Sequence, residues 1–276
     1  MMINDAELLG NDAHWAFGTD FEDPLAGVDT TVPAGLDPAE LARYCLMLGD
    51  DALVLSQRLS EWCSRAPDLE VDIALANIAL DLLGQARLLL ARAAAADPSA
   101  VPVLPEGSPV PAEDALAFFR DAGHFRNVVL AEAPNGDFAE TVTRLLMFST
   151  WRLAEFERLA IHPDAVLAAV AVKGCKELAY HRDFAARWFL TLARGTQESR
   201  RRVLNALDAL WPLWAELDAP SEAEAVLEQV FAASQVDRPE SVPVATRGRD
   251  GVHTDALTEL LADMQSVARQ HPRGLW

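Results

Sequence analysis

The sequence predicts an all-α protein built around a four-helix bundle, and three observations favour this fold class. Ala, Leu and Arg are abundant, and apolar residues recur at spacings of three and four. Acidic capping residues and prolines divide the chain into long segments without strand-like alternation. The first two long segments are separated by a residue or two, as are the next two, whereas roughly forty residues separate the pairs.

The first hairpin is predicted from its start and stop signals. The first helix should run from Pro38 to Arg65, because Asp37 is a suitable N-cap, proline is favoured in the first turn and Pro67 ends the helix. The second helix should run from Asp68 to the residue before Pro98. The short connection makes these two helices antiparallel neighbours.

The remaining elements follow from the same kind of signal. A proline-rich connector and a broken helical stretch form the crossover, and the C-terminal part adds helices outside the bundle. The predicted helices are Ala112–Ala133, interrupted near Gly123; Asp137–Ile161; Asp164–Arg194; Thr196–Leu217, kinked at Pro212; Ser221–Ala233; and His253–His271, after an irregular arm at 234–251.

Two hairpins joined by one long crossover are typical of the ferritin-like bundle. The expectation is therefore an all-α, ferritin-like four-helix bundle of two antiparallel hairpins with additional C-terminal helices. The second and fourth helices are apolar almost all round, which predicts that they form its centre. The first 35 residues hold seven acids and no Lys or Arg, so residues 1–36 are expected to be a poorly ordered acidic extension to a helical domain at 37–276.

Charge and cysteine content exclude several classes of function. A formal net charge of −19 has the wrong sign for binding nucleic acid or an anionic membrane surface. The three cysteines lack C-x-x-C spacing, and the most apolar helices contain charges such as Asp81 and Arg87, which argues against a membrane span. With no basic, apolar leader at the N-terminus, a cytoplasmic location is expected.

A polar pair recurs at matching depth in the second and fourth helices. Gln85 and His181 each lie 17 residues after the acidic residue that begins their helix, and each has an acid four residues earlier, Asp81 and Glu177. Di-iron bundles place Glu-x-x-His at two such positions, so the pattern suggests the remnant of a di-iron site.

The ligands themselves are largely missing from these frames. Leu82 and Leu178 occupy the positions of the metal-binding glutamates, and Gln85 replaces one histidine. The acids four residues upstream can survive as hydrogen-bonding partners of the former ligand positions. Acid-to-amide and acid-to-histidine pairs at this spacing also occur as ordinary helix pairs, and that alternative stays open. Reflecting each hairpin about its turn offers three charged neighbours for the remnant: Asp50, Asp51 and Arg144.

Long stretches of the sequence resemble a known family. They are residues 48–63 (LGDDALVLSQRLSEWC), residues 72–87 (DIALANIALDLLGQAR), Pro134-Asn135-Gly136, residues 176–184 around Tyr180-His181, Gly251-Val252-His253-Thr254 and Met264-Gln265. Together they are similar to the structural C subunits of bacterial phenylacetyl-CoA 1,2-epoxidases. The resemblance covers about residues 38–276, and the acidic N-terminal extension is atypical of that family.

The resemblance implies a ferritin-like subunit with no catalytic residue, metal or other cofactor of its own. It implies a homologous catalytic partner that holds the di-iron centre, binds phenylacetyl-CoA and epoxidises its ring in aerobic phenylacetate degradation. A small bridging subunit and an NADPH-dependent flavin and iron–sulfur reductase would complete the system.

Two other functions and one docking surface also follow as hypotheses. The chain could be a di-iron oxidase or hydroxylase whose ligands are not recognised, or a helical binding protein that acts alone. Under the structural-subunit interpretation, the last helix and its tail are expected to dock on the partner, with His253 and Trp276 at the interface, because a terminal Trp has little reason to be ordered alone.

Overall fold

A computed structural model describes residues 25, 27–240 and 247–274 of the chain. Within these residues the regular structure is helical and there is no β-strand. The α-helices are α1 (Pro38–Ser60), α2 (Leu69–Ala96), α3 (Ala112–Phe118), α4 (Val129–Glu132), α5 (Phe138–Leu159), α6 (Ala165–Arg194), α7 (Gln197–Leu210), α8 (Ser221–Ser234) and α9 (Asp255–Gln270). The predicted all-α class is confirmed.

The four long helices form two antiparallel hairpins, α1 with α2 and α5 with α6, and these pack against each other. Each long helix begins at an aspartate whose carboxylate accepts hydrogen bonds from backbone N–H groups of the first turn: Asp37, Asp68, Asp137 and Asp164. Because the first N–H groups of a helix have no partner within it, these caps fix where the helices start. The same residues were expected as helix starts from the sequence.

Helix ends were predicted less accurately than helix starts. Helix α1 ends at Ser60 rather than Arg65, and the turns that follow include Ser64, whose φ of 65° cannot extend a helix. The predicted helix at 112–133 is three short pieces, α3, a 3₁₀ turn at Ala122–His124, and α4. Helix α7 does not bend at Pro212 but ends at Leu210, and a 3₁₀ segment, Trp211–Leu217, follows.

The prediction that the second and fourth helices form the centre is wrong. Helices α1 and α5 are the most buried, since α2 and α6 cover one side of them and α4, α7, α8 and α9 contact the other. Helices α2 and α6 each bury only one stripe. Several of their large apolar side chains are exposed: Leu69, Ile73, Leu80 and Leu83 on α2, and Val172 and Tyr180 on α6.

Helix α2 is long and apolar enough to cross a bilayer by length and composition alone. One stripe of it is buried against α1, and Arg92 within it forms a buried ion pair with Asp164. These contacts make α2 a helix of the bundle.

The chain before α1 is described only in part. Residues 1–24 and 26 of the predicted acidic extension lie outside the described residues, as does Trp276. Among the residues that follow, Thr30 accepts a hydrogen bond from Arg92 Nη1 at 2.7 Å, and Val32 packs against the core. The last stretch of this extension therefore contacts the bundle.

Candidate functional site

The polar residues singled out on the second and fourth helices meet between α2 and α6. His181 Nε2 lies 2.9 Å from Asp81 Oδ2, and Gln85 Nε2 donates a hydrogen bond of 2.9 Å to Glu177 Oε2. Each acid therefore pairs with a residue on the facing helix. Neither acid hydrogen-bonds to the residue four positions further along its own helix. The pairs meet because they lie near the middle of two antiparallel helices of similar length.

The two leucines at the positions where the sequence pattern suggests former metal ligands lie in the interior. Leu82 and Leu178 have no exposed surface, so both positions are filled with hydrocarbon. His181 is also fully buried, whereas the side chain of Asp81 keeps 36% of its surface exposed. The line of contact between α2 and α6 around these four polar residues, called the seam below, is therefore closed on the inside of the bundle. It is partly open on the outer side.

Arg152 of α5 completes the site, and its side chain has no exposed surface. Its Nε donates to Gln85 Oε1 at 3.1 Å and its Nη2 to the carbonyl oxygen of Leu48 at 3.1 Å. The guanidinium carbon lies 4.5 Å from the centre of the Phe156 ring. Burial lowers the pKa of Arg152 to about 10, while the charge of Asp51 raises it. Arg152 therefore carries a full positive charge into the interior at neutral pH.

Asp51 is the counter-charge of this arginine. Its Oδ2 lies 3.8 Å from Arg152 Nη1 and 2.7 Å from Arg249 Nη2, and its Oδ1 accepts a hydrogen bond from the N–H of Val128. The carboxylate is completely buried, so both guanidinium groups are needed to offset its desolvation. Gln85, Arg152, Asp51 and Arg249 form one continuous network from the seam to the C-terminal arm.

The other two predicted neighbours lie elsewhere. Asp50 faces the crossover, where it pairs with Arg120 at 2.5 Å and accepts a hydrogen bond from the N–H of Arg126. Arg144 hydrogen-bonds to the carbonyl oxygen of Ala133 and to Asn135, at the end of the bundle where α5 starts. Neither residue contacts the seam.

The expectation for Arg144 fails because the reflection about the turn has the wrong register. Gly174 lies against the ring of Phe156, so His181, two turns further along α6, lies level with a residue about two turns before Phe156 rather than with Arg144. The sequence held a usable signal for Arg152. It lies four residues from both Phe148 and Phe156 on the apolar stripe of α5, and a charged residue in such a stripe indicates a buried ion pair.

A di-iron centre does not fit these residues. Such a centre needs four carboxylates and two imidazoles, and the seam offers Asp81, Glu177 and His181 with the Arg152 cation beside them. Within the part of the chain that the structure describes, no three His, Cys, Asp or Glu residues are grouped closely enough to hold a metal ion. Two buried nitrogen atoms at the site, His181 Nδ1 and Arg152 Nη1, have no hydrogen-bond partner among the described residues. The buried guanidinium of Arg152 would repel a metal cation, or compete with it for the carboxylates.

His253 is not at a surface available for docking. Only 4% of its side chain is exposed, and both ring nitrogens face acceptors: Nδ1 lies 2.7 Å from Glu132 Oε2 and Nε2 lies 3.0 Å from the carbonyl oxygen of Phe125. Burial alone would lower the pKa of His253, but these hydrogen bonds outweigh it and raise the pKa. His253 therefore joins the start of α9 to α4 within the chain.

Helix α9 itself is also held by intrachain contacts. Gln265 Nε2 donates to the carbonyl oxygens of Ala117 and Arg120, and Ser108 Oγ donates to the carbonyl oxygen of Pro272. The C-terminal helix thus covers the crossover of its own chain. The part of the docking expectation that concerns Trp276 lies outside the described residues.

The chain is similar to known proteins over most of its length. The family model described as phenylacetic acid catabolic protein matches residues 29–237. The C subunit of 1,2-phenylacetyl-CoA epoxidase from Escherichia coli (strain K12) is 40% identical over 257 residues, which cover 86% of this chain and 99% of that protein.

Proposed function

The chain belongs to the phenylacetic acid catabolic protein family, and we propose on that premise that it is a non-catalytic structural subunit of a di-iron multicomponent oxygenase. The oxygenase would epoxidise phenylacetyl-CoA in the cytoplasmic degradation of phenylacetate. A homologous partner subunit would hold the iron, which activates oxygen, and would bind the thioester. A bridging subunit and an NADPH-dependent flavin and iron–sulfur reductase would serve that partner.

The observation that carries this proposal is the guanidinium of Arg152 in the interior of the bundle. It donates to Gln85, which stands where a di-iron bundle has a histidine, and its counter-ion Asp51 is already shared with Arg249. Leu82 and Leu178, at the positions expected for two further ligands, are fully buried hydrocarbon. A buried cation and buried hydrocarbon, at positions where a di-iron bundle has metal ligands, support a role in assembly rather than in catalysis.

The chain's own residues can still contribute to the reaction by holding a partner in a productive arrangement. The Asp81–His181 and Gln85–Glu177 contacts and the Arg152 network tie α1, α2, α5 and α6 together without metal. A rigid bundle of this kind suits a partner whose active site needs fixed helices, since small displacements of reacting groups cost large factors in rate.

The proposal is tested by reconstitution. The complete system should convert phenylacetyl-CoA with consumption of NADPH, whereas this chain with the reductase alone should show no turnover, and omitting the chain should lower turnover by the partner. The variant Arg152→Lys keeps a charge but loses the double contact to Gln85 and Leu48; it should lower stability without changing the turnover per assembled complex. Turnover by this chain with the reductase in the absence of the partner would contradict the proposal and favour an unrecognised di-iron oxidase.

A further inference from the structure

The outer face of α2 and α6 exposes large apolar side chains to solvent. Its members are Ile73 and Leu80 on α2 and Tyr180 on α6, which expose 52%, 63% and 49% of their surfaces. Leu80 and Tyr180 directly precede Asp81 and His181, whose side chains meet, so the two exposed residues lie at one level on either side of the seam. A helix that is apolar on both its inner and its outer side is normally buried on both.

The face is large enough for a stable interface. At 1.5 Å per residue the 28-residue α2 is about 40 Å long, and two neighbouring helices present a width of about 20 Å. The resulting footprint of about 800 Å² equals what each partner contributes to a protein–protein interface of standard size.

The charges around the face favour a different protein over a second copy of this chain. Two copies would each bring a formal net charge of −19 and repel each other. The chain's only two lysines, Lys173 and Lys176, both lie exposed on α6 within two turns of Tyr180. Lys173 reaches Glu177 at 3.4 Å, whereas Lys176 forms no ion pair with any described residue. Two exposed lysines thus lie beside the apolar residues of this face, together with Asp81 and Glu177 at the contact between the two helices.

We infer that the outer face of α2 and α6 is the surface on which this chain receives the homologous di-iron subunit. Ile73, Leu80 and Tyr180 lie at the centre of this face, and Lys173 and Lys176 lie at its edge. This inference rests on the proposed function for the identity of the partner. It replaces the C-terminal helix, which is held on its own chain, as the docking element.

The test compares variants of exposed residues in the full-length chain, titrated against the purified di-iron subunit. Leu80→Asp combined with Tyr180→Asp should weaken binding roughly 30-fold or more, because the pair lies at the centre of the buried face. Ile161→Asp, at the turn after α5 and 89% exposed, and Val267→Asp, on α9 and 54% exposed, are the matched controls and should bind like the unchanged chain. Thermal unfolding of all three variants checks that each remains folded.

Charge reversal provides a second, independent readout. Lys173→Glu with Lys176→Glu should slow association with the di-iron subunit by several-fold at low salt, and the difference should shrink as salt is raised. Equal binding by the Leu80→Asp/Tyr180→Asp variant and the unchanged chain would overturn the docking face and leave the proposed function standing. Weakening by Val267→Asp in place of the α2–α6 variant would assign docking to α9 and overturn it as well.

The remaining outcomes separate this inference from its premise. If the unchanged chain fails to bind the di-iron subunit at all, both the inference and the proposed function are wrong. If sedimentation then shows a dimer of this chain alone that Leu80→Asp dissociates, the face exists but its occupant is a second copy, which also contradicts the assignment.

Discussion

The inner helices, α1 and α5, differ from the outer helices, α2 and α6, in which residues they bury and which they expose. The inner pair buries charge: Asp50, Asp51, Arg58, Arg144 and Arg152 lie in the interior. The outer pair exposes hydrocarbon, with Ile73, Leu80 and Tyr180 at the surface. Buried charge therefore marks where this chain is tied together internally, and the exposed apolar side chains of the outer pair are those that the proposed partner would cover.

The largest expected effect comes from removing the shared counter-ion of the inner pair. Asp51→Ala leaves the fully buried Arg152 without its carboxylate, and it should lower the free energy of unfolding by about 3–5 kcal/mol. Chemical denaturation measures the loss. The control is Asp183→Ala, which removes an exposed ion pair to Arg187 and should cost less than about 1 kcal/mol. Similar small losses for both variants would mean that the inner charges do not hold the bundle.

Two leucines on the same helix test the two-sided character of α2. Leu82 is fully buried and Leu80 is 63% exposed. Leu82→Ala should lower the free energy of unfolding by about 2–5 kcal/mol because it leaves a cavity, whereas Leu80→Ala should change it by less than about 0.5 kcal/mol in the isolated chain. A large loss for Leu80→Ala without a partner would place that side chain in the chain's own core.

The link between α9 and α4 should depend on pH. The pKa of His253 is raised in the folded protein, since the hydrogen bonds to Glu132 and to the Phe125 carbonyl outweigh the opposing effect of burial. A group with a raised pKa stabilises the fold below its ordinary value, near 6.5, and that contribution is lost as the pH rises through the folded pKa. Unfolding measured from about pH 6 upward should show the decline.

The matched variants for this pH effect are His253→Gln and His124→Gln. The first should remove the decline and cost about 1.5–3 kcal/mol at the acidic end, as expected for a hydrogen bond to a charged group. His124 is exposed, so its variant should keep the decline. An unchanged pH profile in His253→Gln would show that another group is responsible.

The smallest effect concerns the helix starts that both hairpins share. The Asp37 carboxylate accepts hydrogen bonds from the N–H groups of Ala39 and Glu40. Asp37→Ala should lower the free energy of unfolding by about 1 kcal/mol, and Asp37→Asn should restore most of it because an amide oxygen can still accept these bonds. Equal loss in both variants would point to charge rather than capping.

The sequence predicted the features that depend on residues close together in the chain, such as helix starts and short loops. Capping aspartates and loop lengths located both hairpins, and the two polar pairs singled out on α2 and α6 meet near the middle of these helices. It did not predict which helices lie inside, because apolar side chains on α2 are exposed in this chain. It also selected Arg144 instead of Arg152, since the register within a hairpin depends on side-chain contacts such as Gly174 against Phe156.

The most direct measurement of the central claim is the iron content of this chain expressed and purified alone, and again together with the di-iron subunit. The account predicts fewer than about 0.1 iron atoms per chain alone, and about two per pair, which stay with the partner when the two proteins are separated. Near-stoichiometric iron in the isolated chain, with the absorption band of an oxygen-bridged di-iron centre, would contradict it.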